Sequence, residues 1–130
     1  MTLKLSVLAL VLVAAGATAT DSNSASNKDL DKALAGRVAG APTDCIDQTF
    51  TENPQIIDER TILYRSGRRI YVNTLEHACP SLDWDKVLIV ELHGSQICRH
   101  DHFRVLARGT TIPGPTCLFS KFVPYDKPKS

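Results

Sequence analysis

The residues best suited to chemistry sit close together: His100, Asp101 and His102, with His93 seven positions upstream. On an extended strand alternate side chains share a face. His100 and His102 would then present two imidazoles side by side, and His93 could add a third nitrogen to a divalent metal across a turn. Two neighbours weigh against that chemistry. Arg104 falls on the imidazole face, where a guanidinium repels a dication, and Arg99 adjoins it. Asp101 points to the opposite face. His93, His100 and His102 are therefore weak candidate ligands, and a solvated strand face is the simpler account. The serines offer less. Gly94-Ser95 is not a nucleophile elbow and no G-x-S-x-G occurs, while Ser66, Ser81 and Ser95 have no base beside them in sequence.

A second cluster gathers Arg65, Arg68 and Arg69 between Tyr64 and Tyr71. Guanidinium groups interleaved with aromatic rings suit a small anion, a glycan or a protein partner. The same residues would also serve as a charged edge that resists aggregation. Asp58-Glu59-Arg60 pairs two carboxylates with a cation; a turn held by local hydrogen bonds accounts for it.

These residues need elements to hold them. Thr61–Arg65 and Arg69–Asn73 flank Ser66-Gly67-Arg68, a hairpin signal with Gly available for positive φ. Ile62 and Tyr64 share one face of the first strand, Ile70 and Val72 one face of the second. Lys86 to Leu92 reads as a buried strand, because Val87-Leu88-Ile89-Val90 leaves no polar face. Gln96 to Leu106 reads as another, with Phe103 and Val105 inward and His100, His102 and Arg104 outward. Thr116 to Pro124 reads as a last edge strand bounded by prolines. No ten-residue amphipathic helix lies between them, and no repeat is visible. The pattern predicts an all-β or β-dominated domain over 45–130, a small curled sheet or partly closed barrel of five or six strands.

So small a core needs staples. Cys45, Cys79, Cys98 and Cys117 all fall inside this domain and contain no C-x-x-C, which points to structural disulfides rather than zinc or redox chemistry. Three pairings are possible. The favoured one joins Cys79 to Cys98, across the strand at Val87–Val90, and Cys45 to Cys117, across the ends of the domain.

The chain before Cys45 divides in two. Lys4, the uncharged Leu5–Ala15 stretch and the small-x-small Ala17-Thr18-Ala19 make residues 1–19 an expected signal peptide, its core too short to span about 30 Å of hydrocarbon. Residues 20–44 are polar and lack aromatics, as in a flexible linker. Within them Leu30, Ala33, Leu34 and Val38 recur at helical spacing, enough for a short helix after Ser26 or Asn27.

Composition narrows the function. The whole chain holds 15 Lys and Arg against 14 Asp and Glu. Cleavage after Ala19 removes only Lys4 and leaves no net charge. That argues against nucleic-acid binding, which needs a clustered basic surface, and against electrostatic attachment to a membrane. Nor does any later stretch suggest membrane insertion of the mature chain.

Several short motifs form a recognisable series: Cys45-Ile46, Asp58-Glu59-Arg60-Thr61-Ile62-Leu63-Tyr64, Asn73-Thr74-Leu75, Cys79-Pro80-Ser81-Leu82, Cys98-Arg99-His100-Asp101 and a late Cys117. The series resembles a family of small exported bacterial proteins that carry a domain of unknown function. The resemblance spans Cys45 to about Val123 and implies the same exported, four-cysteine, β-rich fold, with no activity to transfer. Asp58 and Asp101 match the family's pattern, whereas His100 and His102 do not belong to it. The expectation is thus an exported β module of the periplasm or the extracellular space, non-catalytic and needing no cofactor. It would bind an envelope protein or a small anionic ligand. Two alternatives stand beside it: a metal-assisted hydrolase built on the His100/Asp101/His102 region, and an inhibitor or accessory subunit of another envelope protein.

Overall fold

A computed structural model describes Gly16 and residues 22–129. The expected signal peptide, Gly16 apart, lies outside the described residues. The chain is β-dominated, with one α-helix, α1 (Ser22–Leu34), and ten short strands among the described residues. The strands form three small antiparallel sheets and no closed barrel, where a curled sheet or partly closed barrel of five or six strands was expected.

The central sheet is built on the predicted hairpin. β4 (Thr61–Ser66) and β5 (Arg69–Thr74) pair from Thr61↔Thr74 to Ser66↔Arg69, and Gly67 takes φ 58° in the turn. A side chain is strained at that φ; Gly is not. β3 (Gln55–Ile56) extends the sheet beside β4. β10 (Phe122–Asp126) pairs with β5 on one side and with the two-residue β1 (Val38–Ala39) on the other. Pro124 therefore occupies an interior strand. Its carbonyl accepts from Gly40 N–H, so its missing N–H faces the short β1 ladder and the bonds to β5 are intact.

Both faces of this sheet are buried. Ile62, Tyr64 and Phe122 pack with Leu75, Ile97, Phe103, Val105 and Phe119 in the larger core. Tyr64, Phe119 and Phe122 meet edge-on or tilted, with centroids 5.8 to 6.3 Å apart. On the opposite face Ile57, Leu63, Ile70 and Val72 pack against Leu30, Ala33 and Leu34 of α1. The helical spacing read at Leu30, Ala33 and Leu34 is thus a docked helix whose apolar stripe completes the second core, whereas Val38, read with them, lies beyond the helix in β1 and is exposed. The hairpin strands bury alternate residues into two different cores, and a polar outer face never arises.

β2 (Cys45–Asp47) pairs with β7 (Gln96–Cys98) as a two-stranded sheet, Cys45 opposite Cys98. The third sheet runs in the order β6 (Val87–Val90), β8 (His102–Leu106), β9 (Thr116–Leu118). Here three expectations are corrected. Lys86 to Leu92 is not a buried strand. β6 is an edge, with Leu88 and Val90 against the core while Val87 and Ile89 are 40% and 38% exposed, because no layer among the described residues covers the outer face. Gln96 to Leu106 is not one strand, since Arg99–Asp101 turns the chain from one sheet into another. Thr116 to Pro124 is likewise two strands in two sheets, with Phe119 buried between them.

The disulfide pairing also differs. The bridges join Cys45 to Cys98 and Cys79 to Cys117, not Cys79 to Cys98 and Cys45 to Cys117. The reason is registry. β2 lies antiparallel to β7, which puts Cys45 and Cys98 directly opposite each other. Cys79, after β5, enters the core beside β9, 5.9 Å from Cys117 between Cα atoms.

Candidate functional site

A cleft of about 280 Å³ opens where three segments meet. Glu76, His77, Ala78 and Pro80 line it from the loop after β5, His100 from the turn between β7 and β8, and Thr116, Cys117, Leu118 and Phe119 from β9 and its exit. The Cys79–Cys117 bridge ties the first wall to the third. The lining is mainly apolar, with two imidazoles and one carboxylate as its ionisable groups.

The sequence folds this way because Asp101 closes the turn. Cys98 N–H donates to Asp101 Oδ2 at 2.7 Å, and Asp101 N–H donates to Cys98 O at 3.0 Å. His100 between them takes φ 70°, a left-handed conformation uncommon outside Gly. Its N–H donates to Phe119 O at 2.9 Å, and Phe119 N–H donates to Asp101 O at 3.1 Å. The turn is thereby fastened to the strand exit that forms the far wall. Arg99 reaches Glu76 at 3.5 Å and spans the turn and the loop. A second anchor lies beneath. Asn73, fully buried, accepts from Ser120 N–H at 3.0 Å and donates to Ser120 O at 2.8 Å.

The carboxylates read as a turn behave as one. Asp58 Oδ1 accepts from Arg60 N–H at 2.8 Å. The Arg60 guanidinium donates to Leu75 O and Glu76 O and fastens the start of the cleft's loop.

The candidate histidines are dispersed. His100 lines the cleft. His102 lies on the outer face of β8 with Arg104, in a smaller depression of about 190 Å³ that also touches Ile89, Glu91, Phe103 and Thr116. The two imidazoles do not share a strand face, because the turn falls between them. His93 lies in the bend between β6 and β7 and lines neither depression. Among the described residues, no group of three or more His, Cys, Asp or Glu side chains is arranged to hold a metal ion. His77, which joins His100 in the cleft, carried no signal of its own: it lies in an irregular loop 23 residues from its companion.

The arginine-tyrosine cluster is also redistributed. Tyr64 is 1% exposed and belongs to the core, so it cannot join a surface patch. Its hydroxyl has no hydrogen-bond partner among the described residues, and burial pushes its pKa well above the usual phenol value. Arg69 makes a two-pronged contact with Asp126, Nε and Nη2 each 2.8 Å from a carboxylate oxygen, and lies 5.8 Å from the Tyr71 ring centroid. That contact holds the Asp126 carboxyl below the usual carboxylate range. Arg65 approaches Gln55 at 3.5 Å, and the Arg68 carbonyl accepts from Arg37 at 2.6 Å. These residues knit the hairpin tip to β10 and to the segment after α1.

No protein family, curated protein or solved structure matches the chain. Among the described residues no helix is long and apolar enough to cross a membrane. Fold and site together define a class: a small β domain, cross-linked by two disulfides, with an apolar cleft at the junction of its sheets.

Proposed function

We propose that the chain is an exported, non-catalytic binding module of the cell envelope or its surroundings, and that its ligand enters the cleft between the Glu76–Pro80 loop and β9. One observation carries this reading: an apolar hollow whose walls are tied together by a disulfide and by the Asp101 turn. A site held this firmly loses little entropy on binding. Its volume lies near the lower end for small-molecule sites. The occupant it suits has a compact aromatic or aliphatic body against Pro80, Leu118 and Phe119. An anionic or hydrogen-bonding end would meet His77 and His100. Export is supported by the apolar N-terminal stretch and by two disulfides in a small domain.

Titration with indole-3-carboxylate, followed by two-dimensional amide NMR, tests the site. Saturable shifts confined to residues 76–79, 100 and 116–119 are expected, and Ala78→Trp, which fills the hollow, should abolish them without disturbing the rest of the spectrum. Absence of saturable shifts across a series of small aromatic carboxylates, or shifts centred elsewhere, would overturn the assignment.

A further inference from the structure

β6 is an unguarded sheet edge. Among the described residues it pairs with β8 alone, and its four residues, Val87-Leu88-Ile89-Val90, include no charge and no proline. Natural edges are normally blunted by Lys, Pro, a bulge or a covering loop. The direction of its free groups follows from the ladder. Glu91 N–H donates to His102 O, so pairs of that parity, Ile89 with Arg104 and Val87 with Leu106, exchange the bonds to β8. Leu88 and Val90 therefore aim their N–H and C=O groups away from the sheet, and no other hydrogen bond among the described residues reaches them.

We propose that β6 pairs antiparallel with β6 of a second copy of this chain about a two-fold axis through Ile89, joining two three-stranded sheets into one. A two-fold axis normal to the sheet keeps each side chain on its own face, so paired residues differ by an even number. Of the registers this allows, two pair three residues of the strand and the rest pair one. Centring on Leu88 sets Glu91 against Asp85 of the second copy, two like charges, and calls on Lys86 N–H, which already donates to Asp83 O at 3.0 Å. Centring on Ile89 lets Leu88 and Val90 satisfy Val90 and Leu88 of the second copy, with both ladder bonds in each pair. It also sets Asp85 against His93 of the second copy, a complementary contact. Ile89 then meets its own image in a non-hydrogen-bonded pair, the geometry that brings side chains closest. A foreign strand has no such built-in match. The ligand cleft is bordered by β9, at the other edge of the sheet, so dimer and ligand do not compete.

Sedimentation equilibrium of the purified chain with both disulfides intact tests the pairing. The contact is smaller than a standard protein interface, so half-dimerisation at about 10–100 μM is expected. Ile89→Lys, on an exposed side chain, should leave a monomer with an unchanged circular dichroism spectrum. Ile89→Cys should give a covalent dimer on air oxidation, and Val87→Cys, which faces Glu91 of the second copy, should not. A chain monomeric up to about 1 mM, a dimer indifferent to Ile89→Lys, or equal cross-linking by Val87→Cys would each overturn the proposal.

Discussion

Removing the two bridges one at a time separates chain entropy from core packing. Cys45 and Cys98 are 53 residues apart and Cys79 and Cys117 are 38 apart. Loop closure in the unfolded chain then assigns each bridge about 4 kcal/mol, with the longer loop favoured by only about 0.3 kcal/mol. Packing reverses that order. Cys45 sits half-buried in the β2–β7 ladder, whereas Cys79 is 1% exposed inside the larger core. Replacing Cys79 by Ala opens a void about the size of one methylene group, which costs about a further 1 kcal/mol. The Cys79→Ala/Cys117→Ala variant should therefore be the less stable of the two, by slightly under ~1 kcal/mol, and each should lose a large part of the ~5–15 kcal/mol typical of a domain. Urea unfolding followed by far-ultraviolet circular dichroism gives the comparison; Trp84 is 76% exposed, which makes its fluorescence a poor reporter. Greater loss in the Cys45→Ala/Cys98→Ala variant would refute the argument. So would a non-reduced peptide digest that links Cys79 to Cys98.

Tyr64→Phe removes a buried hydroxyl without a partner and should raise stability by about 1–2 kcal/mol in urea unfolding. Because burial raises the folded-state pKa of Tyr64, the wild type holds its proton longer than the unfolded chain does. It should lose stability as pH climbs past the ordinary phenol value of 10.0, and Tyr64→Phe should lose less. Asn73→Leu strands both the N–H and the C=O of Ser120, at a cost of about 2–4 kcal/mol, read as a lower thermal midpoint. The Asp126 carboxyl has a depressed folded-state pKa, chiefly through its hydrogen bonds with Arg69, so the stability it adds is complete above the unfolded value and lost as pH falls through the folded one. Acid titrations of wild type and Asp126→Asn should accordingly converge in the acid range below the ordinary aspartate value of 3.8. Leu34→Asp sets a carboxylate against the second core and should release α1, seen as faster amide exchange across residues 22–34 and around Leu63 and Val72.

Local signals carried the hairpin. Gly67 between two β-branched runs, with period-two alternation on each side, is information held within a dozen residues, and the structure reproduces it. The turn at Asp58 was legible for the same reason. Residues 99–101 were not. His100 and His102 share a face only if the strand continues, and the decision to turn rests on Asp101 capturing Cys98 N–H and on Phe119, far along the chain, pairing with His100 and Asp101. The Arg65–Arg69 region misled for a related reason. Period-two alternation normally separates a buried face from a wet one, but here α1 covers the second face, so Tyr64 and Leu63 are both buried. The cleft is a property of three distant segments, and neither His77 nor Leu118 carries a local sign of it.

By itself the sequence determined the kind of chain this is: short strands punctuated by Gly and Pro, a small core that needs cross-links, four cysteines to supply them, and no net charge once residues 1–19 are set aside. Those properties are sums or local patterns, and each residue contributes without reference to distant ones. Tertiary structure alone decided which cysteines meet, where Gln96–Leu106 breaks, which imidazole faces the cleft and which edge stays open. Each of these depends on strand register and on the layer that covers a face. Register is set cooperatively by cores assembled from both ends of the chain: Leu30 packs on the core that holds Val72, and Ile46 shares a core with Phe119.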